Sequence, residues 1–285
     1  MTAALMAAAI VAGPPPDVMQ WEDLTSRERP TPDERLRYGD DPLQVIDVWR
    51  PAGDGPHPAV VMIHGGCWQT EVAERDLMNW IADDLRGRGV GVWNIEYRGT
   101  DRGGGHPGTY EDVSRAADLF AERGTQSGLR TDRVVVVGHS AGGHLALWLA
   151  ARPALPDGHP LRGDDPLRVD VAISSGGLPD LVAAAAREDH PCGCDAPPAM
   201  LGTDPTATSP PLMPTTDARQ HLFNTTRDHV APPPYAAAYR DAMAARGVSI
   251  TLHTTPAEGH VELIAPETAA WAAQRSLILR ELGVE

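Results

Sequence analysis

Three separate stretches of this chain carry residues that could do chemistry together. In Gly138-His139-Ser140-Ala141-Gly142 a serine has glycines two residues to either side, directly after the apolar run 134–137 and directly before a helical pattern. Such spacing lets a strand reverse sharply into a helix and leaves the serine exposed and strained, the arrangement of a nucleophile. The following helix N-terminus favours developing negative charge. The rival reading, a serine that only caps that helix, is weakened by the strand on one side and the helix on the other.

A nucleophilic serine needs a base, and eleven histidines compete for the role. His64 and His139 fall in turns, His144 lies one turn into a helix, and His57, His106, His159 and His190 lie in loops without a partner pattern. His260, in "PAEGHVEL", follows the last strand-like run, where its side chain can lean toward Ser140. The base in turn needs an acid to fix its tautomer. Asp228, in "TTRDHVAPP", ends the preceding strand, and Asp180, in "SSGGLPD", is its rival. Donors for an oxyanion are expected from Gly65, Gly66 and Cys67 in "HGGCW", where glycines let backbone N–H groups approach a substrate, and from the N–H of Ala141.

These residues need strand ends to hold them. Residues 43–50 alternate like a half-buried strand, 58–64 form a continuous apolar run suited to a strand covered on both faces, 90–97 read as the next strand and 133–140 as another buried one. Three more strand-like runs span 167–175, 219–226 and 248–255. Helices are expected from Thr70 to a stop at Gly87, from Tyr110 to about Arg123 behind a Thr109/Asp112 capping box, over 141–152, over 234–246 and over 261–282. Alternating strands and helices predict an α/β fold, a three-layer α/β/α sandwich around a mostly parallel sheet, with chemistry at the carboxyl ends of the strands. Residues 1–42 read as an N-terminal extension and 43–285 as the catalytic domain. The proline-rich segment 176–218 reads as a lid, and "GTDRGGGHPG" as a second loop lining the same pocket.

Composition narrows the partners. The net charge is −15, all the basic residues are arginine, and no basic run exists to neutralise a phosphate backbone, which argues against nucleic acid and anionic membranes. The apolar run within 1–16 is too short to span a bilayer. It has the apolar core of a leader without the positive start, so a cytoplasmic and an exported location both stay open. Cysteines 67, 192 and 194 are too few for a disulfide scaffold, although a single bridge from Cys67 to Cys192 or Cys194 fits an exported protein. "HPCGCD" lacks the spacing of a zinc site, so no metal or cofactor is expected.

Taken together, "HGGCW", "NIEYRG", "GHPGTYEDV", "GHSAGGHLALWLA", "TSP", "TRDHVAPP" and "GHVELI" resemble the α/β-hydrolase superfamily from about Leu43 to the C-terminus. The resemblance is to the branch with a His-Gly-Gly oxyanion loop, a bacterial esterase and acetyl-esterase-like group related to kynurenine formamidases and prolyl-oligopeptidase-type hydrolases. It implies Ser140 as nucleophile, His260 as base, Asp228 as acid, and Gly65, Gly66, Cys67 and Ala141 around the oxyanion. Asn224-Thr225 replaces the His-Gly usual before the acid, which leaves the turn presenting Asp228 open. The expected activity is hydrolysis of a small-molecule carboxylic ester, with an arylformamide or a peptide as alternatives and a non-catalytic binding protein as the reading from another class.

Overall fold

The computed structural model describes residues 17–284, so the apolar run of residues 1–16 lies outside it. Eight strands form one sheet in the order β1-β2-β4-β3-β5-β6-β7-β8. They are β1 (Glu34–Arg37), β2 (Val45–Trp49), β3 (Ala59–Ile63), β4 (Gly91–Ile95), β5 (Val135–His139), β6 (Val171–Ser175), β7 (Arg219–Thr225) and β8 (Ile250–Thr255). The pairings β1·β2 and β2·β4 are antiparallel and the rest are parallel, as crossover helices require. The helices are α1 (Trp21–Thr25), α2 (Asn79–Arg86), α3 (Gly108–Arg123), α4 (Ala141–Ala151), α5 (Leu181–Ala185), α6 (Ala196–Leu201), α7 (Pro205–Thr208), α8 (Pro233–Ala244) and α9 (Ala269–Leu282).

Strand side chains alternate between two cores, which is why the central strands read as unbroken apolar runs. Val61, Ile63 and Val136 pack on the face covered by α3, α4 and α8, while Val60, Met62, Val135 and Val137 pack on the face covered by α2 and α9. The α/β sandwich expected from the sequence is the observed fold. Among the described residues no helix is long and apolar enough to cross a membrane.

Several local expectations are corrected. All five residues of β2 are buried, so it is not half-exposed; Asp47 is tolerated there because Arg35 and Arg75 each bond its carboxylate at 2.8 Å. The helix expected from Thr70 begins only at Asn79, after a 3₁₀ turn at Arg75–Met78. Thr70 is held elsewhere, since its N–H and that of Glu71 donate to Asp101. The Thr109/Asp112 capping box does not form. Thr109 lies inside α3 with its hydroxyl donating to the Arg98 carbonyl, and Asp112 takes Arg98 and Gln44 instead. The pattern read as one helix over 261–282 is a 3₁₀ turn, Val261–Ile264, then a break at Pro266 and a fresh start of α9 capped by Thr268. Segment 176–218 is more ordered than its prolines imply, with α5, α6 and α7 inside it and Met200, Ala207 and Met213 fully buried.

The turn from β5 into α4 brings the helix start close against the sheet. A Cβ on Gly142 would stand 2.2 Å from the carbonyl oxygen of Ile63 at the end of β3, so only glycine lets α4 start there. Gly142→Ala is predicted to cost about 2 kcal/mol or more, read as a lowered urea midpoint, because backbone on both sides must move. Gly87→Ala is the control: its Cβ would meet nothing nearer than 3.5 Å, and the change should stay within about 1 kcal/mol.

Candidate active site

Ser140 sits at the carboxyl end of β5 with φ 53° and ψ −119°, a conformation costing an L-residue on the order of 1–3 kcal/mol. Neighbouring backbone holds it there: its N–H donates to the Ser175 carbonyl at 2.8 Å, and its carbonyl accepts from Gly143 at 2.9 Å. It occupies the N-cap position of α4, yet its hydroxyl makes no capping hydrogen bond. That removes the reading in which Ser140 serves only as a cap.

Asp228 follows β7 and His260 follows β8, two and three strands from β5 across the sheet. The Nδ1–H of His260 donates to Asp228 Oδ2 at 2.7 Å, and Asp228 Oδ1 accepts from the N–H groups of Val230 and Ala231 at 2.8 Å each. Burial works against the charged carboxylate. The charge and hydrogen bond of His260, with the two backbone N–H groups, nevertheless hold Asp228 below the usual carboxylate range. The residues that replace His-Gly before Asp228 brace both turns: Asn224 Nδ2 donates to the Ala231 carbonyl at 3.3 Å and Thr225 Oγ1 to the Gly259 carbonyl at 2.9 Å. The rival acid, Asp180, caps α5 through the Ala183 N–H and bonds Ser209, which accounts for it structurally.

Ser140 and His260 open onto one cleft of about 550 Å³, lined also by Trp21, Gly66, Cys67, Val72 and Pro191. Opposite the serine, Gly66, Cys67 and Trp68 run consecutively at φ 100°, 56° and 55°. Among the described residues no acceptor within the protein takes the N–H of Gly66, Cys67 or Ala141. Cys67 is bridged to Cys192, which settles the pairing left open by the sequence, and Cys194 is free and exposed. The bridge ties this glycine loop to the segment before α6, and Gln69 Nε2 adds a hydrogen bond to the Cys192 carbonyl at 3.1 Å.

Several residues near the cleft were not singled out by sequence. His139, read as a turn residue, is buried with its ring 4.5 Å from that of His260, and its Nε2–H donates to the His260 carbonyl at 3.2 Å. Burial, then the charge of His260, pushes His139 well below the ordinary histidine range, so it acts as a neutral prop. Glu96, at the end of β4, anchors the glycine loop. Its Oε1 takes His64 Nε2 at 2.8 Å, and its Oε2 takes the backbone N–H of Arg75 at 2.9 Å and the guanidinium at 3.2 Å. Arg75 in turn reaches Asp47, while Tyr97 stacks on His64 at 4.2 Å and donates to its carbonyl. The available signal was a carboxylate inside the strand-like run 90–97.

Burial raises the cost of charging Glu96, but the charge and hydrogen bond of His64, with the N–H groups of Arg75 and Tyr97, keep it below the usual carboxylate range. Glu96→Gln leaves Arg75 buried with a partner missing and is predicted to cost about 3–5 kcal/mol at pH 7 in chemical denaturation. A depressed carboxylate contributes stability above its unfolded value, about 4.3, and loses it as pH falls through the folded value. The gap between wild type and Glu96→Gln should therefore be full at neutral pH and shrink below about pH 4.

The BD-FAE family profile matches residues 46–221, more than half of the chain, spanning the glycine loop and Ser140. Among solved structures, the bifunctional GH43-CE protein of Bacteroides eggerthii superposes with a TM-score of 0.71 at 20% identity over 87% of this chain, which spans only 35% of that protein's length. A truncated carbohydrate esterase from gut microbiota gives 0.73 at 18% identity, covering 90% of this chain and 99% of that one. The propionate-bound esterase Est2 of Thermogutta terrifontis gives 0.71 at 22% identity, covering 91% and 97%. At these identities the structures establish the fold. No curated protein sequence matches. With the family profile over the serine turn and the glycine loop, this chain belongs to the BD-FAE family of α/β-hydrolase-fold proteins and is an esterase, a hydrolase of ester bonds.

Proposed function

We propose that the chain cleaves carboxylic esters of small or medium acyl groups through Ser140, His260 and Asp228. The observation that carries this reading is the buried 2.7 Å hydrogen bond between His260 and Asp228, on the cleft that Ser140 also lines. With Nδ1–H committed to Asp228, Nε2 of His260 is the nitrogen left to take the Ser140 proton. The Ser140 oxygen then bonds the acyl carbon, and the carbonyl electrons move onto oxygen. The N–H groups of Gly66, Cys67 and Ala141 receive that oxyanion, with Gly65 giving the loop its approach. Collapse expels the alcohol, which takes its proton from His260. Water repeats the steps on the acyl-enzyme and restores Ser140.

The cleft of about 550 Å³ has the size of a small-molecule site, roughly 300–1,000 Å³. The matched gut-microbiota protein is described as a carbohydrate esterase, and Est2 binds propionate. The first supports a carbohydrate as the alcohol half of the substrate and the second a short acyl group. We read 43–285 as the catalytic domain, completed by β1 on its sheet edge and by α1 beside the cleft, and segment 176–218 as its lid; the lining residue Pro191 and the Cys67–Cys192 bridge support the lid's placement.

Ser140→Ala is expected to fold as wild type by circular dichroism and to lose about 10³–10⁶-fold in kcat toward p-nitrophenyl acetate. Undiminished hydrolysis by the folded variant would exclude the proposal. Asp228→Asn should lose about 10²–10⁴-fold, because the amide oxygen stays on the Val230 and Ala231 N–H groups and the amide NH2 then donates to His260 Nδ1, which fixes the wrong tautomer. Across straight-chain acyl esters, kcat/KM should be highest at short and medium lengths and fall for long ones.

A further inference from the structure

The N-terminal arm reaches the cleft through Trp21 and Thr25. Within α1, Leu24 is fully buried against the core beneath the sheet. The arm is fastened to the segment that carries His260: the Met19 N–H donates to Glu262 at 2.8 Å, and both terminal nitrogens of Arg27 bond Glu267 at 3.0 and 2.6 Å. Arg227, beside Asp228, pairs with Asp17. These ties place Trp21 edge-on to His260, ring centres 6.1 Å apart at 80°, and edge-on to His139 at 6.2 Å and 72°.

Trp21 nonetheless keeps 42% of its surface exposed and lines the same cleft as Ser140. Val72, 59% exposed, lies on that cleft as well. Exposed large apolar side chains gathered on one cleft point to a surface that a ligand covers. Direction follows from the reaction. His260 must hand its proton to the leaving oxygen, so a side chain packed beside His260 meets the alcohol half of the ester and not the acyl half. A flat indole offered there gains most from a flat partner, an aromatic ring or the C–H face of a sugar ring.

We infer that Trp21 is a specificity-determining residue, the wall of a leaving-group subsite that selects esters of ring-bearing alcohols. The inference rests on the proposed reaction at Ser140. Its test compares benzyl acetate with ethyl acetate, two esters that give the same acetyl-enzyme and whose alcohols leave about equally well. Trp21→Ala should lower kcat/KM for benzyl acetate roughly tenfold, mainly through KM, and leave ethyl acetate within about twofold. Trp21→Phe, which keeps a ring, should retain most of the benzyl preference, and circular dichroism checks that both variants fold.

An equal loss on both esters would mean that Trp21 only supports His260, and no loss on either would mean that substrate does not touch it; each result overturns the inference. Ser140→Ala assayed in parallel separates the two levels. If that variant still hydrolyses ethyl acetate, the reaction itself is misassigned. If it is inactive while Trp21→Ala keeps the full benzyl preference, the subsite alone is wrong.

Discussion

The site depends on one backbone constraint, the positive φ of Ser140 at the junction of β5 and α4. A residue cannot rest there without support, and the support comes from elements far apart in sequence. β6 receives its N–H through the Ser175 carbonyl, and the end of β3 leaves only enough room for a hydrogen at Gly142. The strain is thus maintained by packing between parallel strands. Because parallel strands end on one side of the sheet, the same packing brings the glycine loop after β3 and the turns after β7 and β8 to a common edge.

The two walls of the cleft are held by different physics. On one side a buried network of Asp47, Arg75 and Glu96, to which the His64 ring is hydrogen-bonded, fixes the glycine loop that lines the cleft. Pairs of this kind add little net stability over apolar packing, but they are costly to break, so they hold a loop in a single register. The Cys67–Cys192 bridge then couples this loop to the segment before α6. On the other side, Asp228 and His260 rest on backbone hydrogen bonds, on Asn224 and Thr225, and on the neutral ring of His139.

How legible this was in the sequence depended on range. Ser140, the glycine loop and the strands around them were readable because the pattern is local: an apolar run, a glycine pair, a helix start. The carboxylate turn was readable only by its place in the order of elements, and Asn224-Thr225 hid the hydrogen bonds that brace it. Glu96 and Arg75 were not singled out, since a charged pair separated by a helix and a strand leaves no local periodicity. Trp21 was hidden for a related reason: its part depends on where an arm from the far N-terminus crosses the sheet edge. Thr109 and Asp112 show the converse error, a correct local spacing that loses to the tertiary partners Arg98 and Gln44.

The central claim is that the strained serine, and no other residue, attacks the substrate. The most direct measurement is reaction of the native protein with a fluorophosphonate, followed by mass-spectrometric mapping of the adduct. The account predicts stoichiometric phosphonylation of Ser140, loss of ester hydrolysis in proportion, and no labelling once acid has unfolded the site. An adduct on another residue, or full hydrolysis by protein that carries the label on Ser140, would contradict it.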